Sequence, residues 1–371
     1  MTLHPDSSSE TLPANPTAPT SRAGRMLRTA VGLALLAYVL GRADWAELAG
    51  LLGQVHFGWL IAFTLVTPVS VVLSVWKWAL LLRARGHRPS FGSLFGLYVL
   101  SQFYNNVLPS SVGGDVVRVY LLGKRIHHPR DALGSVLVER FLGLSVLVIM
   151  GLVALALTPA LFGSTLFVIL ALTGVGVYGL VVVAMFEPRL LRLVHRVVSR
   201  FAPARGAVSK LLRFQASLWE YRQHRGTLVA SVLLSVAFHV SAILNVYLAC
   251  RTLGQPVPFW IVAVATPLVL VITLLPISLN GVGLREWAFV VAFEALGVSG
   301  TIGLAASLLL RVKQMLWSSG GLLVHLCATE APPAPSLPSR SPVGAAAVTS
   351  SGANHDAVSS AETDPPHRQT A

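Results

Sequence analysis

Two short segments hold most of the side chains able to do chemistry. The first reads Asn105-Asn106-Val107-Leu108-Pro109-Ser110-Ser111-Val112-Gly113-Gly114-Asp115, with Arg118 one turn further on. The second reads Pro276-Ile277-Ser278-Leu279-Asn280-Gly281-Val282-Gly283-Leu284-Arg285-Glu286. The stretch Leu108 to Gly114 is echoed by Leu275 to Gly281, and each echo is followed by an acid and an arginine, Asp115 with Arg118 and Glu286 with Arg285. Either segment alone reads equally as a packing kink, since Pro and Gly are common in apolar helices. As a pair flanked by charges, they favour a site. A helix that restarts after such a break aims its first N–H groups at an anion, so a phosphate or an anionic headgroup is the ligand chemistry expected.

Further charges sit inside apolar runs, where a central Asp, Lys or Arg costs roughly 2.5–3.5 kcal/mol on insertion scales. Glu139 and Arg140 open one run; they read either as cavity residues or as a headgroup-level pair with Arg140 snorkelling. Arg311 and Lys313 lie well inside the last run, where one of them is expected to pair with Glu286 or Glu294. Lys77 is expected to snorkel, and His239 to be a hydrogen-bonded interior residue rather than a proton relay. No HExxH, P-loop or metal-spaced Cys/His cluster occurs, so no metal and no cofactor is expected. Cys250 and Cys327 are too few for a disulfide framework and read as apolar fillers.

The elements that must position these groups are membrane helices. Of 371 residues, 54% are hydrophobic and only 12% charged, against about 25% charged in an ordinary soluble domain. The net charge of +13 does not signal nucleic acid, because the basic residues fall between apolar runs long enough to cross about 30 Å of hydrocarbon. Full spans are expected over 57–82, 133–157, 162–186, 227–250 and 301–326, with a short uncleaved first span over 27–41 and an amphipathic surface helix over 45–55. Residues 91–123 and 259–297 are each too interrupted for a simple crossing and read as broken, re-entrant hairpins.

Lys and Arg number three in 22–28, three in 83–88, three in 124–130 and nine in 189–225, whereas the opposite loops hold only Arg42 and Arg251. That bias puts both termini in the cytoplasm. It requires the first hairpin to enter from the cytoplasm and the second from outside. Opposed broken segments of this kind point to an inverted-repeat transporter with a midplane site. The fold class is therefore all-α, a polytopic transmembrane bundle with two broken hairpins in an inverted-repeat arrangement. It runs over 25–328, with a basic cytoplasmic loop at 187–226 expected to lie on anionic headgroups. Cytoplasmic tails at 1–24 and 329–371 are rich in Pro, Ser and Ala and are expected to be disordered.

Three motifs carry a family resemblance. Asn106-x-x-Pro109-x-x-x-Gly113-Gly114-Asp115-x-x-Arg118, Ser135-Val-x-x-Glu139-Arg140-x-x-Gly143 and Pro276-x-Ser-x-Asn-Gly281-x-Gly283-x-Arg285-Glu286 resemble the signatures of the lysylphosphatidylglycerol synthase transmembrane-region family, also called flippase-like or UPF0104. The resemblance covers about residues 27–327. It implies a domain that moves aminoacylated phosphatidylglycerol to the outer leaflet in the bifunctional members, where a soluble C-terminal domain makes that lipid. Synthase activity is not expected to carry over to a chain whose C-terminal segment is a disordered tail. Stand-alone relatives are associated with polyprenyl- or dolichol-linked sugar pathways.

The function expected is that of a lipid flippase or transporter of the inner (plasma) membrane, not an enzyme, handling an anionic phospholipid or a polyprenyl-phosphate-linked lipid. Asn106, Pro109, Gly113, Gly114, Asp115, Arg118, Glu139, Arg140, Pro276, Gly281, Gly283, Arg285, Glu286 and Arg311 would line its cavity. The rival readings are a membrane-embedded transferase using the Asp115 and Glu286 carboxylates, and a non-catalytic scaffold of envelope synthesis. Membrane lipids are the expected partners, with a homo-oligomer or envelope-synthesis proteins compatible and nucleic acid excluded.

Overall fold

A computed structural model of the chain describes residues 22–107, 113–158, 165–186, 215 and 218–327. Pro109, most of the basic loop and nearly all of both expected tails lie outside the described residues. The first helix begins at Arg22, so the last three residues of the expected N-terminal tail are helical. The described residues form helices and no strand.

Helix α1 (Arg22–Arg42) turns by 87° into α2 (Trp45–Gly53), and Asp44 caps α2 by accepting from the backbone N–H groups of Ala46 and Glu47 at 2.9 and 3.0 Å. There follow α3 (Phe57–Ala84), the antiparallel pair α4 (Phe91–Val107) and α5 (Gly113–Ile126), then α6 (Pro129–Leu157) and α7 (Thr165–Phe186). The second half runs α8 (Arg225–Thr252), the pair α9 (Phe259–Thr273) and α10 (Leu284–Ala295), and α11 (Gly300–Cys327). The hairpin helices, at 12 to 17 residues each, are shorter than the 20 or so that ~30 Å of hydrocarbon demands.

By length and composition α3, α6 and α8 can cross a bilayer, with a fourth crossing if α1 and α2 are one broken span. Within the expected spans at 162–186 and 301–326 lie α7, an apolar helix of 22 residues without a charge, and α11, which misses that measure. In α11 the cause is Arg311, Lys313 and Gln314, which are turned into the protein rather than toward lipid. The side of α3 away from the core is a stripe of exposed Ile61, Leu65, Val69, Val72 and Trp76, and α8 carries a similar one at Val229, Leu233, Val236 and Val240. Apolar surface of that extent is stable only against hydrocarbon or a partner.

The stretches 57–157 and 225–327 share several local features. Helices α3 and α8 have 28 residues each. Both end in the same C-terminal motif, with a positive-φ glycine (Gly86, Gly254) whose N–H bonds the carbonyl of Arg83 or Arg251. The next N–H bonds back to Leu82 or Cys250. In each half a hairpin follows at the same interval, at Phe91 and at Phe259. Packing is reciprocal as well: α6 lies on its own α5 and on α9 of the other hairpin, while α11 lies on its own α10 and on α4. At these crossings Gly151 sits on the Pro267 carbonyl and the Val271 side chain, as Gly321 sits on the Val99 carbonyl and the Phe103 side chain.

Helix α11 shows how the hairpins approach. Its Gly303 lies on Phe289, its Arg311 on Glu286, its Gln314 on Asn106 and its Gly321 on Val99. One hairpin therefore flanks the N-terminal half of this 28-residue helix and the other its C-terminal half. The described parts of the two hairpins meet near its middle, where the Asn280 side chain donates to the Asn105 carbonyl at 3.2 Å.

Candidate functional site

Two ion clusters are built at equivalent places in the two halves. In each, the third residue of the second hairpin helix is an acid: Asp115 in α5 and Glu286 in α10. Each acid is held by an arginine of the following long helix, 25 residues later in both halves. Arg140 donates to Asp115 through Nε at 2.8 Å and NH2 at 2.9 Å. Arg311 Nε donates to Glu286 Oε1 at 2.7 Å, and the other Glu286 oxygen reaches back to accept from the Gly283 N–H at 2.8 Å. That backward reach satisfies one of the orphan donors at the start of α10.

The first-half cluster is closed. Arg118, fully buried, lies 2.9 Å from Glu139 and 3.3 Å from Asp115, and its guanidinium stacks between Trp78 and Tyr98 at 4.8 and 5.1 Å from the ring centres. Trp78 is fixed in turn by its Nε1–H, which donates to Ser135 Oγ at 3.0 Å. Lys77 is also buried, 3.9 Å from Glu139, and donates to Ser235 at 3.3 Å. It does not snorkel as expected: its face of α3 packs on α8, not on lipid. Glu139 likewise is buried instead of sitting at headgroup level, while the Arg140 side chain is 48% exposed.

Between the hairpin tips, α3, α8 and α11 lies a cavity of about 280 Å³. Its charged wall is Arg285 and Lys313, and its polar wall includes Asn106, Asn245, Gln102 and Gln314. Lys313 donates to the Phe63 carbonyl at 2.8 Å and to Asn245 Oδ1, and Arg285 donates to Gln314 Oε1 at 3.4 Å. Among the described residues no carboxylate lies within 4.0 Å of either cation. Three buried polar atoms of cavity-wall residues have no hydrogen-bond partner among the described residues: Arg285 Nε, Trp317 Nε1 and Thr67 Oγ1.

Of the described residues expected to line a cavity, Asn106 and Arg285 line this one. Asp115, Arg118, Glu139, Arg140, Glu286 and Arg311 instead form the two ion clusters behind its wall. Gly113 and Gly114 open α5, Pro276 and Gly281 belong to the tip of the second hairpin, and Gly283 caps α10. Pro109 lies outside the described residues. Lys313, Asn245, Gln314 and Trp317 were missed as lining residues. Their signal was polar groups at mid-span, which carry a desolvation cost of their own even without charge. His239, as expected, is an interior group bonded to the Gly143 carbonyl at 2.9 Å, and the open choice for Glu286 resolves to Arg311, not Lys313.

The family model for the lysylphosphatidylglycerol synthase TM region matches residues 25–317. A UPF0104 membrane protein of Methanocaldococcus jannaschii is 24% identical over 267 residues, covering 68% of this chain and 79% of the relative. Two UPF0104 membrane proteins of Methanothermobacter thermautotrophicus are each 25% identical, over 66% of this chain and 77% and 76% of their own lengths. No solved structure matches.

Proposed function

Starting from a chain that belongs to the family of the lysylphosphatidylglycerol synthase TM region and is embedded in a membrane, we propose that it is a lipid transporter. An anionic headgroup passes through the cavity between the hairpin tips while the hydrocarbon chains stay in the bilayer. One observation carries this reading, the charge balance where the hairpins meet. Among the described residues, Lys77, Arg118, Arg140, Arg285, Arg311 and Lys313 are answered there only by Asp115, Glu139 and Glu286, and the two cations without a carboxylate both face the cavity. An unpaired charge held away from water costs several kcal/mol, so cations kept at that depth mark a ligand path.

The matched intervals, the reciprocal packing and the approach of the hairpins from opposite ends of α11 support an inverted repeat, the architecture of alternating access. Asp115, Glu139 and Glu286 are all committed to arginine or lysine, which leaves them poorly placed for acid–base work and favours transport over a transferase. The Lys/Arg bias of the loops supports a plasma (inner) membrane location with both termini cytoplasmic. Anionic phospholipids and polyprenyl-phosphate-linked lipids are the cargo classes this site suits.

The test is a leaflet-resolved assay in proteoliposomes with labelled anionic and neutral lipids. Protein-dependent movement of anionic lipids, reduced at least tenfold by Arg285→Gln, is expected. No protein-dependent movement across the panel would overturn the reading, and a chemically altered lipid detected by mass spectrometry would replace it with the transferase.

A further inference from the structure

The cavity wall distinguishes between kinds of anionic headgroup. Arg285 and Lys313 bring two positive charges to one cavity, and neither has a carboxylate within 4.0 Å among the described residues. A phosphodiester headgroup carries one negative charge and leaves one cation uncompensated. A phosphate monoester carries close to two above its second pKa of about 6 and presents three strong acceptor oxygens. Arg285 Nε, Trp317 Nε1 and Thr67 Oγ1, atoms of wall residues, are covered and have no hydrogen-bond partner among the described residues, so the polar groups around the two cations are not all satisfied by the protein.

We infer that the site selects a terminal phosphate monoester, a dianion carried on a lipid. The inference rests on the transport reading above and narrows its cargo.

Binding to the full chain in phosphatidylcholine nanodiscs tests it, with dihexanoyl phosphatidate, dihexanoyl phosphatidylglycerol and inorganic phosphate as probes at pH 8 and pH 5. At pH 8 the phosphatidate binds at least tenfold tighter than the phosphatidylglycerol. At pH 5, where the monoester has taken up one proton and carries a single charge, the two converge. Arg285→Gln and Lys313→Gln each abolish the preference while keeping the parent's unfolding midpoint, whereas Arg285→Lys, which keeps the charge, retains the preference. Equal binding of the two lipids at pH 8 overturns the monoester inference and leaves the transporter standing. Failure of both lipids to bind removes both. Inorganic phosphate binding as tightly as the phosphatidate shows a free-phosphate site and overturns the lipid source.

Discussion

Replacing Glu286 by Gln separates charge from shape at the second ion cluster. The carboxylate has no exposed surface and uses both oxygens, one on the Gly283 N–H at 2.8 Å and one on Arg311 Nε at 2.7 Å. A glutamine fits the same space and can still accept from Gly283, but it turns an NH2 donor toward a guanidinium that only donates. Breaking a buried ion pair from one side costs about 3–5 kcal/mol. The lower end applies here, because the Arg311 side chain is 21% exposed and has the Gly281 carbonyl at 3.5 Å as a weak substitute. Arg311→Gln strands the fully buried carboxylate and costs a similar amount. The double variant replaces the ion pair by two neutral amides that can bond each other, so it loses less than either single change. The coupling is then at least about 2 kcal/mol, far outside the ~0.3–0.5 kcal/mol scatter of independent sites. Reversible unfolding in mixed micelles, with all four proteins in one cycle, measures it. Glu286→Gln within 1 kcal/mol of the parent, or additive single changes, would refute the reasoning.

Two further perturbations probe the packing. Arg118→Lys keeps the charge but loses the planar stack between Trp78 and Tyr98. Each stacked face contributes roughly 0.5–2 kcal/mol, so the unfolding midpoint falls by the equivalent of about 2 kcal/mol, and a change within error would show the stack to be idle. Gly321→Ala drives a Cβ to 2.7 Å from the Val99 carbonyl, whereas Gly151→Ala meets only the Val271 methyl at 3.1 Å. The first therefore costs about 2 kcal/mol and the second under 1 kcal/mol, in the range of overpacked interiors, and the reverse order by the same assay would contradict the crossing geometry.

The two breaks were legible because Pro and Gly interrupt apolar runs at matched places, and their charges because each one costs energy in hydrocarbon. Those signals give depth along a span and say little about which way a side chain faces. Lys77 illustrates the limit: one or two turns from a span end it could reach water, yet its azimuth on α3 points it at Ser235 and Glu139. The same gap explains why the expected cavity residues became the scaffold. Asp115 and Glu286 flank the breaks in sequence, but the helix geometry after each break turns them toward the next span, where Arg140 and Arg311 wait. The wall fell instead to Asn245, Gln314 and Trp317, uncharged groups that blend into an apolar run. Their convergence depends on α3, α8 and α11 packing together, which no local pattern encodes.

Bond strength differs between the ion clusters and the place where the hairpins meet. Inside each half the ties are charge-assisted and short, 2.8–2.9 Å from Arg140 to Asp115 and 2.7 Å from Arg311 to Glu286. Such bonds contribute about 1.5–3 kcal/mol each. Between the hairpin tips the polar ties are neutral and longer, Asn280 to Asn105 and Gln314 to Asn106, both at 3.2 Å, and a bond of that kind contributes only about 0.5–1.5 kcal/mol. The polar seam between the tips is therefore the weaker of the two, and the cavity with its two unanswered cations lies beside it. Tyr98 joins the two regions, with its ring stacked on Arg118 of the sealed cluster and also forming part of the cavity wall. A headgroup that neutralised Arg285 and Lys313 would act on that seam directly, drawing Gln314 and Asn106 toward itself and out of their mutual bond. Two braced ion clusters and a softer contact where the hairpins meet suit exchange between inward- and outward-open arrangements, while the α3–α8 face and the Lys313 bond to the Phe63 carbonyl at 2.8 Å tie the halves firmly elsewhere.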